Sequence, residues 1–334
     1  MRGNGIALQI LGTGEYVPRQ RVESAELDRR WNKDEGWTAS HTGVTSRAYA
    51  ADDETVIVMG ANAARQALAA AGMVATEIDV IIAVGSVPYQ AIPCTAAFLQ
   101  RELGLGNSGI AAFDVNSTCL GFLAALDLVA QGIAMQRYKA VLIVAAERAS
   151  IGLKQSAPLI AGLFGDGAGA AVIGPSRTEG SALLSSLFQT FSVGAEHCQM
   201  RAGGTLINPH TQPGAYVEGS FFEMDGRRVY KLVADRMPDF LHELFQRAEV
   251  HMHDVNVWVP HQASGHALKH IRAALDLPAE RFVSTLETHG NQVAASLPVA
   301  LHRGIQSGRI TAGQTVALVG TGAGLSFGGA VLRF

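Results

Sequence analysis

Short, almost wholly apolar runs alternate along this chain with stretches in which apolar residues recur every three or four positions. DVIIAVGS (79–86), KAVLIVAAE (139–147) and GAGAAVIG (167–174) predict strands buried on both faces, and Gly60 to Ala71 predicts a helix. Ile110 to Val115 reads as a further buried strand, with an apolar helix from Leu120 onward. The second half repeats the alternation. Val229 to Ala248 predicts a helix, VNVWVPHQAS (255–264) a strand and turn, and HALKHIRAAL a helix. RFVSTLETHGNQVAASLPVAL predicts strand, turn and helix, and TVALVGTG and GGAVLRF predict strands. Strand-like and helix-like runs in turn are the mark of an α/β fold.

The order of elements also repeats. GDGAGAAVIG closes the first half and GTGAGLSFGGAVLRF the second, which divides the chain into residues 1–176 and 177–334. Cys119 and Asn291 each read as following a strand and opening an apolar helix. The pattern predicts a duplicated unit whose two helix starts meet at a shared centre. Arg148 to Leu163 has no counterpart in the second half, and inserts of this kind form surface or active-site loops.

Composition narrows the function classes. Of 334 residues, 48% are apolar and only 16% charged, with a net charge of −3. That balance argues against a nucleic-acid partner. Cys94, Cys119 and Cys198 are widely spaced and form no CxxC, so no disulfide framework is expected and a cytoplasmic location is. The opening MRGNGIALQILGTGEYVP carries no secretion signal. No apolar run is long enough to span a bilayer, so no membrane partner is expected.

The chemistry gathers at three strand-to-helix turns, which carry Cys119, His261 and Asn291. A thiol at a helix start faces unpaired N–H groups and the positive end of the helix dipole, which favour the thiolate. An imidazole manages protons and charge near neutral pH. A carboxamide donates a hydrogen bond to a carbonyl oxygen without titrating. Singly, each has an ordinary reading: a core cysteine, a cap, a turn residue. Together, in matched contexts of two echoed halves, they read as a catalytic set.

Motifs along the whole chain support a specific resemblance. LGTGEYVP, DEGWTASHTGV (34–44), AFDVNSTCLGF, FGDGAGAAVI (164–173), VPHQAS, THGNQVAAS and the closing GRITAGQTVALVGTGAGLSFGGAVLRF resemble, in order, those of β-ketoacyl-acyl-carrier-protein synthase III of the thiolase superfamily. The resemblance implies a five-layer αβαβα fold of two duplicated halves and a homodimer. It implies that Cys119 takes an acyl group from an acyl-CoA thioester. A malonyl-carrier protein then loses CO₂, and its carbanion attacks the acyl group. His261 and Asn291 would hold the malonyl thioester oxygen as enolate charge develops. The backbone N–H groups of Cys119 and Ala323 would form the oxyanion hole. Coenzyme A enters as substrate, and no tightly bound cofactor or metal is implied.

The same resemblance assigns substrate-binding positions to Trp37, Ile92, Phe164, Met224 and Ser264. It assigns docking of an acidic carrier protein to Arg228, Lys231, Lys269 and Arg272, with Arg227 nearby. It also shows departures. The family's adenine sandwich pairs a Trp with an Arg; Trp37 matches the first, but Pro158 stands at the second and His41 replaces a further Arg. Ile92 replaces a Phe that limits the acyl pocket across the dimer in short-chain enzymes, which predicts a longer or branched primer. Ser264 replaces an Asn, and Ala323 a Gly. An acyltransferase or a non-decarboxylating head-to-head condensing enzyme of secondary metabolism is therefore a second reading, and a non-catalytic partner subunit a third.

Other features carry less. Val17 breaks the dinucleotide-loop pattern begun by GTG at 12–14, and no Lys follows FGDGAGAA as in a P-loop. His251 and His253 read as surface residues, Cys94 and Cys198 as structural, and His289 as a support for the Asn291 turn.

Overall fold

The structure, a computed structural model, describes residues 5–334; the first four residues of the N-terminal half lie outside it. The first half supplies strands β1 (Leu8–Tyr16), β2 (Gln20–Glu23), β3 (Ser46–Tyr49), β4 (Val80–Val84), β5 (Ala111–Val115), β6 (Val141–Glu147) and β7 (Gly167–Pro175). The second supplies β8 (Ala182–Thr190), β9 (Cys198–Gln199), β10 (Glu223–Met224), β11 (Val257–Pro260), β12 (Thr315–Gly322) and β13 (Ser326–Arg333). Two sheets form the frame, in the orders β1-β7-β6-β4-β5 and β8-β13-β12-β11. β2–β3 and β9–β10 are small separate ribbons.

The sheets follow one plan. β1–β7 and β7–β6 are antiparallel, as are β8–β13 and β13–β12. β6–β4 and β4–β5 are parallel, as is β12–β11. The fifth place of the second sheet holds a single parallel bridge from Trp258 to Phe282. The strand expected in RFVST thus shrinks to one residue. Its backbone is satisfied otherwise: Gln262 Oε1 accepts the N–H groups of Thr285 and Leu286 at 2.9 and 3.0 Å, and Gln262 Nε2 donates to the Pro260 carbonyl at 2.7 Å. A side chain that takes these groups leaves none for a ladder.

Strand alternation builds the layers. Val80, Ile82 and Val84 of β4 join Val141 and Ile143 of β6, Val257 and Val259 of β11, and Val316 and Leu318 of β12 in one core. That core encloses the helices Gly121–Ala134 and Ser296–Gln306 between the sheets. Ile81 and Ala83 face the opposite way, against the helix Val56–Ala71. Ala317, Val319 and Val331 face the helix Gly226–Ala248 on the other side. Helix, sheet, helix pair, sheet, helix: the five-layer αβαβα expectation describes the chain. Leu123, Leu126, Val129, Ala130 and Ile133 of the first central helix are buried on several faces, as a helix between two sheets requires.

β5 departs from the buried strand predicted over Ile110 to Val115. It lies at the sheet's free edge, with Ala111 exposed and Phe113 40% exposed. One neighbour is missing, so only part of its surface is covered.

Candidate active site

The chain leaves β5 into a 3₁₀ turn, Thr118–Leu120, and enters the central helix at Gly121. Asn116, Ser117 and Thr118 do not cap that helix. Asn116 Oδ1 instead accepts the Thr118 N–H at 2.9 Å, which stabilises Thr118 at φ +48°. This turn sets Cys119 just ahead of the helix.

Asn291 is placed by a different route from the one predicted. It follows a short helix, Leu286–His289, and a second 3₁₀ turn, Val293–Ala295, separates it from the helix Ser296–Gln306. Its Oδ1 accepts the Val293 N–H at 2.8 Å, and its Nδ2 donates to the Ala263 carbonyl at 3.3 Å. Its backbone is fixed to the strip around Phe164: Asn291 N–H donates to the Leu163 carbonyl at 2.9 Å, and Gly165 N–H to the Asn291 carbonyl at 3.1 Å. A Cβ on Gly165 would stand 2.1 Å from the His289 carbonyl oxygen, so this close approach demands glycine. FGDGAGAA therefore supports the Asn291 loop.

His261 leaves the end of β11, 5% exposed, and its N–H donates to the Val319 carbonyl at 2.8 Å. Capping of the next helix falls to Ser264, whose Oγ accepts the Ala267 N–H at 3.2 Å. His261 Nδ1 has no protein partner among the described residues.

The end of β12 brings these segments together. A Cβ on Gly320 would lie 2.7 Å from His261 Cβ and 3.2 Å from Leu120 Cδ2, so both press on one strand. Thr118 Oγ1 donates to the Ala323 carbonyl at 3.5 Å. The two 3₁₀ turns also touch each other. The backbone N–H groups of Cys119 and Ala323 both act on the Cys119 sulfur and favour its charged form.

They do not dominate. Burial first, then the Glu147 carboxylate and the Cys198 thiol, push the Cys119 thiol up to about 12. The residue keeps some surface exposure. Desolvation outweighs the two N–H groups and works against the thiolate expected from the helix start. Burial likewise lowers His261 to about 4, so its imidazole rests neutral.

Two contributors escaped the sequence reading. Glu147 is 4% exposed at the end of β6, and burial raises its carboxyl to about 7. Cys198, read as structural, lies within electrostatic reach of Cys119 and pairs with Met224 in the β9–β10 ribbon. A strand ending in an acid beside a buried turn was the available signal for the first.

The remaining positions spread around this centre. Phe164 is 6% exposed and meets Phe222 edge-on with centroids 5.3 Å apart. Ile92 is 84% exposed in the loop beyond β4. Trp37 opens the short helix Trp37–Thr42, with the His41 ring stacked on it at 4.4 Å and Lys33 Nζ 5.2 Å from its centroid. Pro158 begins the helix Pro158–Ala161, which packs beside that helix and brings no cation there. Arg228 and Lys231 are exposed near the start of the Gly226–Ala248 helix, and Lys269 and Arg272 on the helix Gly265–Ala274. Tyr230 and His270 join these helices, Oη to Nδ1 at 3.3 Å. Arg228 pairs with Asp225 at 3.3 Å; the other three make no ion pair among the described residues. His251 and His253 are exposed, Cys94 stands at a helix N-cap, and His289 Nδ1 meets Thr288 Oγ1 at 2.8 Å. Among the described residues, no helix is long and apolar enough to cross a membrane.

Comparison with known proteins agrees with this architecture. An acetoacetyl CoA synthase of Streptomyces sp. (strain CL190) is 34% identical over 330 residues, covering 98% of this chain and 99% of that protein. The crystal structure of 3-oxoacyl-[acyl-carrier-protein] synthase III from Aquifex aeolicus VF5 superposes with a TM-score of 0.88 at 29% identity, over 98% of this chain and 100% of that one. A priming β-ketosynthase of a polyketide biosynthetic pathway superposes with a TM-score of 0.88 at 31% identity, over 100% of this chain and 98% of that one. The 3-oxoacyl-[acyl-carrier-protein (ACP)] synthase III model matches residues 113–192, and its C-terminal counterpart residues 245–334. With matches to both halves and a curated relative along nearly its whole length, the chain belongs to the 3-oxoacyl-[acyl-carrier-protein] synthase III family.

Proposed function

We infer that this acyl-transferring enzyme performs its decarboxylating Claisen condensation through Cys119, His261 and Asn291. The observation that carries the assignment is the meeting of the Cys119 turn, the Asn291 turn and His261 at the end of β12, where a Cβ on Gly320 would touch both His261 and Leu120. In the first step Sγ attacks the carbonyl of an acyl thioester. The two N–H groups take the oxyanion, and the thiol proton leaves with the departing thiol. In the second, a malonyl thioester loses CO₂ and the electron pair moves onto its thioester oxygen. Neutral His261 and the Asn291 amide donate hydrogen bonds to that oxygen. The carbanion then attacks the acyl-Cys119 carbonyl and expels the sulfur.

Coenzyme A as primer carrier draws support from the Streptomyces acetoacetyl CoA synthase, whose name is that of a CoA ester. The stacked His41 leaves Trp37 fewer free faces, which supports looser adenine binding than a Trp–Arg sandwich gives. Exposed Lys231, Lys269 and Arg272 on two joined helices suit an acidic acyl-carrier protein. The free β5 edge, with exposed Phe113, Val87 and Tyr89, supports a homodimer in which Ile92 reaches the partner's acyl pocket. Three free thiols fit a reducing cytoplasm. Phe164 and Met224 would line the acyl channel.

Intact-mass measurement after mixing with acyl-CoA thioesters of increasing length tests the nucleophile and the primer together. An adduct lost in Cys119→Ser and favoured beyond acetyl is the expected result. An adduct that survives Cys119→Ser overturns the nucleophile, and strict acetyl preference overturns the role given to Ile92. Release of CO₂ and a β-keto product with malonyl-carrier protein separates this reaction from plain acyl transfer.

A further inference from the structure

Glu147 is a buried acid that the steps above do not use. It ends β6, and its Oε1 accepts two backbone N–H groups, from Ser86 at 2.7 Å and from Ala294 at 3.4 Å. Each bond leads to one of the two turns. The Ser86 carbonyl accepts from Asn116 Nδ2 at 3.5 Å, and Asn116 Oδ1 shapes the turn before Cys119. Ala294 follows Val293, whose N–H is bound by Asn291 Oδ1. One carboxyl oxygen therefore links the nucleophile's turn to the asparagine's turn.

Among the described residues, Glu147 has no cationic partner. Arg148, next in the chain, is turned to Asp52 at 3.0 Å and to the Ala50 carbonyl. The titratable groups acting on Glu147 and on the sulfur are Asp166, ahead of β7, and Cys198, on β9. Asp166 is itself bound by Ala50 N–H and Ser150. An uncompensated buried carboxylate is costly, and a neutral amide of the same shape would accept the same two N–H groups.

We propose that Glu147 is a positioning residue: through one carboxyl oxygen it ties the Cys119 turn to the Asn291 turn. This rests on the reading of Cys119 as the nucleophile.

The test is the rate of Cys119 acylation by acyl-CoA, followed on the full chain by intact mass with the adduct mapped, in the wild type, Glu147→Gln and Glu147→Ala. Glu147→Ala loses the tether and should acylate about 10- to 100-fold more slowly. Glu147→Gln, whose amide oxygen accepts the same two N–H groups, should restore the rate. Equal rates in all three proteins, or equal losses in both variants, overturn the proposal alone. An acyl adduct that maps to a residue other than Cys119 overturns the nucleophile assignment and this proposal with it.

Discussion

Asn116 and Asn291 occupy corresponding places in the two halves of the molecule. Oδ1 of each accepts the N–H of the residue two positions on, Thr118 at 2.9 Å and Val293 at 2.8 Å. Each of those β-branched residues has positive φ, +48° and +53°. Each turn then enters a central helix, at Gly121 and at Ser296. Cys119 thus corresponds to Ala294, not to Asn291. The duplicated turn carries a nucleophile in one copy and a small core residue in the other. A β-branched residue at positive φ costs on the order of 1–3 kcal/mol, and the Asn side chain offsets part of it.

Asn116→Ala should therefore misplace the sulfur, while Asn116→Asp keeps an acceptor for the Thr118 N–H. A displacement of about 1 Å costs a reaction of this kind roughly 10²-fold. A time course of the Cys119 acyl adduct by intact mass should show Asn116→Ala slowed by about 10- to 100-fold and Asn116→Asp slowed less, since it keeps the acceptor but loses the donor to the Ser86 carbonyl. Wild-type acylation in Asn116→Ala would show that the turn stands without its side chain.

The alternation of the chain revealed most of this fold, because strands buried on both faces and helices buried between sheets leave few polar positions to blur it. The Cys119, His261 and Asn291 turns stood out for the same reason: polar residues at the ends of apolar runs. What stayed hidden depends on contacts between distant segments. Gln262 replaces a strand ladder with its own amide, and nothing in HQAS marks that. The pairing of Asn116 with Asn291 is visible as NSTCLGF against NQVAASL only once the 3₁₀ turns fix the register. The burial and the Glu147 carboxylate that raise the Cys119 thiol act from outside its own helix, so the helix start alone does not reveal them.

His261 gives a pH prediction whose sign follows from its lowered value. An imidazole near 4 stays neutral throughout the range in which an ordinary histidine, near 6.5, takes up its proton. CO₂ release from malonyl thioester should therefore hold its pH 7 rate at pH 5.5 and fall only as pH approaches 4. Loss of half the rate near pH 6.5 would mean a solvated His261. The same residue, with His289, also lowered to about 4, makes folding stability fall as pH drops from 6.5 towards 4, since the unfolded chain binds those protons first.

The amide of Asn291 and the imidazole of His261 serve the malonyl half-reaction. Asn291→Ala should lower CO₂ release by about 10²–10³, the usual loss for one donor to an oxyanion. It should leave the acyl adduct on Cys119 forming, because the donors of that step are backbone N–H groups. Equal losses in both half-reactions would point instead to collapse of the turn around Val293.

The docking face is tested by charge reversal. Lys231→Glu and Lys269→Glu should raise KM for malonyl-carrier protein and steepen its loss at low salt, where exposed charges are least screened. Acylation of Cys119 by acyl-CoA should not change, because both residues lie on exposed helix faces. An unchanged KM in both variants would place the carrier protein on another surface.

Glu147 also leaves a mark on stability. Its folded value of about 7 stands above the ordinary 4.5, so the folded protein binds a proton that the unfolded chain has already released between these values. The contribution is fully present below about pH 4.5 and is lost as pH rises through 7. Two to three units correspond to about 3 kcal/mol. The histidines titrate in part of the same range with opposite sign, so the quantity to follow is the difference between the wild type and Glu147→Gln. Measured by urea unfolding from pH 5 to pH 8, that difference should swing against the wild type as pH rises, because only the wild type must hold a bare carboxylate inside. A difference that stays constant across this range would mean that water or an unnoticed cation reaches the carboxyl group.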